Sequence, residues 1–279
     1  MKLAPTCYEC LRRLILQAAE LATDDISLRQ QAIREAIKTL DSEFSYSQIS
    51  IVIAAKIHKI VRELTGNPDP YRAMKESEMT LARESYSQLR QRNNDDLRGC
   101  LRLAAAANAI DFFTEASSIT QHISKPVHFA VDDSERLEAK LKNAAKVLYL
   151  ADNAGELYFD LLLVKQMKQF APVTYAVKPS PVQNDLTLEE VKRSGLELEL
   201  GKVMSTGVDS PGIILSQASA QFKQEFESAD LVFAKGMGNY EALSEYPPEG
   251  RLFYCLKAKC QPIANSLGVP INSYVAMLQ

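Results

Sequence analysis

The sequence has no run of the roughly 18 apolar residues that a membrane-spanning helix requires. It also has no excess of basic charge: 32 lysines and arginines stand against 35 aspartates and glutamates, a formal net charge of −3 at pH 7. The first absence argues against a membrane partner, and the second against a nucleic-acid binder working through a global basic field. No signal-peptide core is present either, because Glu9, Arg12 and Arg13 interrupt the amphipathic stretch MKLAPTCYECLRRLILQAAEL. A cytoplasmic protein is the expectation. Histidine is sparse, with His58, His122 and His128 scattered along the chain. The five cysteines are an odd number without a secretory signal, which points to reduced thiols rather than a disulfide framework. Cys7 and Cys10 share one face of a helix, a spacing suited to a metal or a redox pair. No second cysteine pair and no nearby histidine completes a tetrahedral site. Two small, partly buried helix residues are the plainer reading, with Cys260 the thiol that the fold would have to bring to them.

Glycine is nearly missing from the first half, where only Gly66 and Gly99 precede Gly155. What is there instead is helix after helix. CLRRLILQAAELA, ISLRQQAIREAIKTL, YSQISIVIAAKIHKIVRELTG, PYRAMKESEMTLARESYSQLRQR and LRGCLRLAAAANAIDFFTEA carry apolar residues at three- and four-residue spacing. Asp24-Asp25 and Gly66-Asn67-Pro68 supply the punctuation. From about residue 145 the texture changes. KVLYLAD, VTYAVK, LELELGKVMS, DLVFAKG and RLFYCLKA read as strands, with helical patterns between them. Strand alternating with helix implies βαβ units and a parallel sheet with helices on its faces. SKPVHFAVDDSERLEAKL, between the halves, holds at most one edge strand and one helix. The fold class is α/β: a helical amino-terminal bundle over residues 1–125 and a mostly parallel sheet domain over 126–279.

Four polar clusters each follow a predicted strand, so the fold would gather them at one edge, beyond the carboxyl ends of the strands. Asp152-Asn153-Ala154-Gly155-Glu156 offers a carboxylate and a neutral carbonyl oxygen, a mixture suited to a hard divalent cation such as Mg²⁺ or Mn²⁺. Asp152 or Asn153 acting as a helix N-cap is the competing reading. Asn184-Asp185 follows the next strand, and Asp185 is either a third oxygen ligand or a cap. Lys235, Gly236, Met237, Gly238 and Asn239 form a loop whose N–H groups can make an anion nest, or simply a structural turn. Lys257 and Lys259 lie two apart at the end of an apolar strand and point to one side; Lys259 is closer to the loop face. A buried lysine there needs an anionic partner. A cation beside a cationic phosphate nest is what phosphoryl transfer to water requires. Glu156 would orient or deprotonate that water, or bind a substrate hydroxyl.

Taken together, CYEC, GNPDPYRAMK, ANAIDF, LADNAGE, QND, FAKGMGNYEAL and LKAKC, in that order, resemble the damage-control phosphatases, once a domain of unknown function. The CxxC and the compact length look like the prokaryotic branch. The resemblance implies a helical domain packed on a three-layer α/β/α domain, and a divalent cation (Mg²⁺, Mn²⁺, Co²⁺ or Ni²⁺) held by Asp152, Asn153 and Asp185. It implies substrate contacts at Glu156, at Met237 to Tyr240 and at Lys259, and a small phosphorylated metabolite, such as a sugar phosphate or a surplus cofactor intermediate, as substrate. Met237 stands where this branch leads one to expect a polar residue. The resemblance also marks Asn108 and Asp111, with Asn108 the better substrate contact. The expected function is a metal-dependent phosphomonoester hydrolase with Asp152, Glu156 and Lys259 catalytic. Another cation-dependent phosphoryl-handling α/β enzyme and a non-catalytic phosphometabolite sensor are the alternatives. The oligomeric state is left open.

Overall fold

Apolar periodicity decides which helices form the first layer. The computed structural model describes residues 1–89, 96–109, 126–247 and 249–279. Helices α1 (Cys7–Ala22), α2 (Ile26–Glu43) and α3 (Ser50–Thr65) bury Leu11, Ile15, Ala18, Ala32, Ala36, Leu40, Ile53, Ile57 and Val61 in one core, each helix presenting one apolar stripe. Asp25 caps α2 by accepting the N–H groups of Ser27 and Leu28 at 2.8 and 3.1 Å. Gly66, at φ 68°, ends α3 in the left-handed conformation that glycine tolerates.

The next two helices, α4 (Arg72–Leu89) and α5 (Leu97–Ala107), leave that bundle. Cys100, Leu101 and Ala104 of α5 enter the core beneath the sheet. Ala82 of α4 and Leu103 and Ala107 of α5 close over Tyr158 and Phe159. Those two belong to the helix after the second strand, which is therefore covered on two sides. Its sequence, LYFDLLLVKQM, is apolar nearly all round for that reason.

The sheet holds β1 (Phe129–Asp132), β2 (Val147–Leu150), β3 (Val173–Val177), β4 (Lys202–Ser205), β5 (Leu231–Lys235), β6 (Leu252–Lys257) and β7 (Tyr274–Leu278) in the order β1-β7-β6-β5-β2-β3-β4. Strands β4, β3, β2, β5 and β6 are parallel; β7 is antiparallel to β6, and β1 is parallel to β7. Between them run α6 (Ser134–Asn143), α7 (Leu157–Met167, entered through a single tight turn), α8 (Leu188–Ser194), α9 (Glu197–Leu200), α10 (Ala220–Ser228), α11 (Gly236–Leu243) and α12 (Gln261–Leu267). Alternation along each strand divides the two faces. Val147, Tyr149, Tyr175, Phe233 and Phe253 pack towards α5 and α7, while Leu148, Leu150, Val232, Ala234 and Tyr254 pack towards α10, α11 and α12. The chain is α/β, with a helical amino-terminal part and a mostly parallel sheet between helical layers. No helix among the described residues is long and apolar enough to cross a membrane.

Two local expectations change. LELEL is not part of a strand: residues 197–200 turn as α9, with Leu198 95% exposed, and Gly201 at φ 85° leaves only KVMS to pair. SYVAML, at the end of the chain, supplies a further strand, β7, that the strand–helix alternation did not announce, because it runs against its neighbour β6.

The helical half also grips the sheet through buried charge. Lys75 of α4, 1% exposed, pairs with Glu190 of α8 at 2.6 Å and with Asp69 at 2.9 Å. Removing one member of such a cluster strands the others in low dielectric. Lys75→Met is expected to cost about 3 kcal/mol or more of unfolding free energy by urea titration, with part of the loss recovered when Glu190→Gln is added.

Candidate active site

Strand order creates the cleft. From β2 the chain proceeds to β3 on one side, whereas β5 lies on β2's other side and leads to β6. The connections leaving β2 and β5 therefore diverge, α7 to one face and α11 to the other, and a crevice opens between them. Asp152 and Asn153 stand at the end of β2. Leu186 N–H donates to the Asp152 carbonyl at 2.8 Å and Ala154 N–H to the Asn184 carbonyl at 2.8 Å, so Asn153 bridges antiparallel to Asp185. This short pairing brings the three candidate cation ligands together from two loops.

Neither capping alternative describes these side chains. Asn153 and Glu156 precede the tight turn and α7 without a side-chain cap bond. Thr187, not Asp185, caps α8, in a reciprocal capping box with Glu190. The Asn153 amide nitrogen donates to Asp152 Oδ2 at 3.2 Å and to Glu156 Oε1 at 2.8 Å. Its carbonyl oxygen is then the end left for a cation. Asn108, at the end of α5, donates to the same two oxygens at 2.9 Å each and accepts Lys257 N–H at 3.2 Å. It is 1% exposed and holds the two carboxylates in place. Asp111 lies outside the described residues.

Beneath this layer is a charged floor. Lys235, fully buried, pairs with Glu156 Oε2 and Asp160 Oδ1 at 2.6 Å each and donates to the Ala104 carbonyl at 2.9 Å. Those anions raise the ammonium's pKa against the effect of burial, so it stays protonated. Lys235, expected in the nest, thus sits under the cleft; a strand-end lysine flanked by two carboxylates is satisfied there. Glu156 has both oxygens engaged and acts as placed as an anchor for Asn108, Asn153 and Lys235. Gly236, at φ 78°, passes so close to Asp152 that any Cβ would collide with the carboxylate. Asn239 is turned to the Lys235 carbonyl at 2.8 Å, and the Tyr240 hydroxyl meets Ser266 at 2.8 Å, so both support the turn rather than line the cleft. Met237, Gly238 and Lys259 do line it, with Asn108, Asp152, Asn153 and Asp185. Lys257 instead lays its ammonium over the Tyr274 ring at 5.6 Å.

Sequence reading missed Lys178, Glu78 and His58. Lys178 is 2% exposed, 3.6 Å from Asp185 Oδ2, too far for a hydrogen bond. Its Nζ and that oxygen have no hydrogen-bond partner among the described residues. It ends β3, the same signal that flagged Lys257 and Lys259. Glu78 of α4 accepts the Asn184 amide at 3.0 and 3.1 Å, and His58 of α3 bonds Gln183 at 2.9 Å; Arg62 of α3 donates to the Pro181 carbonyl. Gln183 is held at φ 48°, a left-handed conformation unusual for its type. Only the folded contacts reveal these roles.

Electrostatics follow from burial. Asp152 is pushed up to about 7, first by burial and then by the Glu156 carboxylate. Burial lifts Asp185 well above the carboxylate range, and burial lifts Asp160 as well. Among the described residues no three His, Cys, Asp or Glu side chains form a metal-ligating group; the candidate set is two carboxylates and one amide. An Asp185 oxygen that faces Lys178 but accepts no hydrogen bond, beside a neutral carbonyl donor, is still the chemistry a hard cation takes. Because Glu78 accepts the Asn184 amide inside the protein, Glu78→Ala is expected to cost about 1–3 kcal/mol of unfolding free energy by urea titration.

Comparison with known proteins agrees with this architecture. Residues 3–275 match the damage-control phosphatase ARMT1-like domain. An uncharacterized protein of Methanocaldococcus jannaschii is 34% identical over 99% of this chain and 95% of its own length. Damage-control phosphatases of Pyrococcus horikoshii and Archaeoglobus fulgidus are 35% and 30% identical over 99% of the chain, covering 98% and 99% of their own lengths. The crystal structure of a DUF89 family protein from Pyrococcus horikoshii superposes with a TM-score of 0.92 at 34% identity, over 100% of this chain and 99% of that one. The chain belongs to the damage-control phosphatase family, the ARMT1-like domain proteins.

Proposed function

We propose that the protein is a metal-dependent phosphomonoester hydrolase acting on small phosphorylated metabolites. Family membership supports a phosphatase. The observation that carries the finer reading is the convergence of Asp152, Asn153 and Asp185 in a cleft of about 510 Å³ that Lys259 also lines. That volume is in the range of small-molecule sites.

Asp152, Asn153 and Asp185 would hold the divalent cation (Mg²⁺, Mn²⁺, Co²⁺ or Ni²⁺). When bound, such an ion offsets phosphoryl charge and acidifies water towards neutral pH. The chain's own residues do the rest. Lys259 places positive charge where the phosphate oxygens enter, and its charge already acts on Asp152. Met237 and Gly238, in the first turn of α11, line the same cleft, and unpaired N–H groups of a helix's first turn favour an anion. Lys178 offsets the charge of Asp185 and Asp152 from within the protein. Asn108 and Asn153, fixed on Glu156 and so on Lys235, keep the Asp152 carboxylate from rotating. Proximity and electrostatic stabilisation are the terms this arrangement supplies.

With Mn²⁺, Co²⁺, Ni²⁺ or Mg²⁺ the protein is expected to hydrolyse a generic aryl phosphate, and Asp152→Ala to lower the rate at least about 10²-fold. Full turnover in excess chelator, or in that variant, would end the proposal. Metal binding must also displace protons. The folded, metal-free protein binds protons at Asp152 and Asp185 more tightly than the unfolded chain does, so cation affinity rises as pH climbs through about 7. A fixed Mn²⁺ concentration is expected to raise Tm more at pH 8 than at pH 6. The increment is read against metal-free protein at each pH. His58, buried neutral with its pKa lowered to about 3, loses stability for the fold as pH falls below its ordinary 6.5, but it cancels in that difference.

A further inference from the structure

Two loops from neighbouring strands border the cleft. Residues 178–187 follow β3 and deliver Asp185; residues 206–219 follow β4 and bring Pro211 to the lining. Each loop is closed at its own base. Lys178 N–H donates to the Leu186 carbonyl at 2.9 Å, and Ser219 N–H to the Thr206 carbonyl at 3.1 Å. Closure at the base leaves open what sets one tip relative to the other.

A side chain of the helical half reaches both tips. Arg62, in the last turn of α3, donates through Nη1 to the Pro181 carbonyl and through Nη2 to Asp209 Oδ2 at 2.6 Å. Its side chain is 15% exposed and that of Asp209 45%, so the ion pair by itself adds little stability. A guanidinium is planar and holds its N–H groups in fixed directions. Two acceptors on one such fork are therefore kept at one separation.

Each arm leads to a different part of the site. On the Pro181 side the chain is stiff, because Pro179 and Pro181 fix their own φ angles. Asp185 N–H then donates to the Val182 carbonyl at 3.1 Å, a turn that presents the candidate cation ligand. On the Asp209 side, the fully buried Ser210 hydroxyl donates to the Gly212 carbonyl. Pro211 and Gly212 lie directly against Gly238, in the first turn of α11. A Cβ at Gly238 would collide with the Pro211 carbonyl, and a Cβ at Gly212 with the Gly238 carbonyl. Contacts that close transmit displacement. The Asp209 arm thus locates the turn from which Met237 and Gly238 line the cleft.

We infer that Arg62 is a positioning residue that sets the spacing between the cation ligands and the anion-binding turn of α11, through two separable arms. This rests on the phosphatase reading and adds to it a residue outside the cleft lining.

Charge and position predict opposite signs. Arg62→Met removes a positive charge, so the field alone would tighten Mn²⁺ binding; Asp209→Ala removes a negative one, so the field alone would tighten anion binding. Lost positioning weakens each. By calorimetry Arg62→Met is expected to bind Mn²⁺ about tenfold more weakly. Asp209→Ala is expected to keep its Mn²⁺ affinity within about twofold, while Kd for phenylphosphonate at saturating Mn²⁺, and KM for an aryl phosphate, rise about fivefold. Asp209→Asn loses the charge but keeps an acceptor oxygen, and is expected to recover most of that loss. The Asp209 side chain is half-exposed, so its two variants decide the matter even if Arg62→Met folds poorly, which Tm reports. Unchanged or tighter Mn²⁺ binding in folded Arg62→Met, unchanged or tighter phosphonate binding in Asp209→Ala, or an Asn variant no better than the Ala variant would overturn the inference, while phosphate release by the unaltered protein still upheld the phosphatase. Binding constants that shift as expected, with no phosphate released from any ester, would uphold the spacing role and overturn the hydrolase.

Discussion

The site depends on one buried cation of the protein's own. Lys235 lies where β5 ends, without solvent contact, and its ammonium is shared between Glu156 and Asp160 of the segment that follows β2 and the Ala104 carbonyl of α5. Three elements that diverge from one another are thereby joined at the point where the sheet's connections part. A desolvated lysine is unfavourable alone and fixed when paired this closely. Once it is fixed, Glu156 is fixed, and the two asparagines that hang on Glu156 can hold Asp152 at the cleft floor. The order of dependence runs from a core ion pair outward to the group expected to meet the ligand.

That order also accounts for the excess of acid around the cleft. Asp152, Asp185 and Asp160 all have raised affinity for protons because burial disfavours their charge, which the lysines Lys235, Lys178 and Lys259 offset in part. Natural sites accept such stress where a positive ligand relieves it. Glycine does the complementary steric work. At Gly236 the backbone approaches the Asp152 carboxylate more closely than any side chain would permit, and at Gly238 and Gly212 two backbones press together in the same way.

Much of this was legible in the chain. Strands β2, β3, β5 and β6 end in LAD, VK, AK and LK, abrupt changes from apolar to charged residues, and parallel strands put such ends on one edge. The convergence of Asp152, Asn153, Asp185 and Lys259 was therefore readable. Depth was not. Lys235 and Lys259 look alike in sequence, yet one lies under the floor and the other faces the cleft, and only the positions of Glu156 and Asp160 decide which. Asn239 and Tyr240 read as loop contacts, but α11 turns them inward. LELEL alternates as a strand would, and the left-handed Gly201 ends it as a helical turn. The roles of His58, Arg62 and Glu78 depend on contacts spanning more than 100 residues, which no local period encodes.

Those three side chains share a further meaning. They come from α3 and α4, and each grips a different residue of the rigid loop that delivers Asp185: Pro181, Gln183 and Asn184. The sheet supplies one side of the cleft; the loop on the other side is held by helices encoded more than a hundred residues earlier. The two parts of the gene consequently cannot drift independently. A descendant that lost this helical clamp would lose the register of the loop, which makes the first half of this chain a support of the candidate site rather than a lid over it.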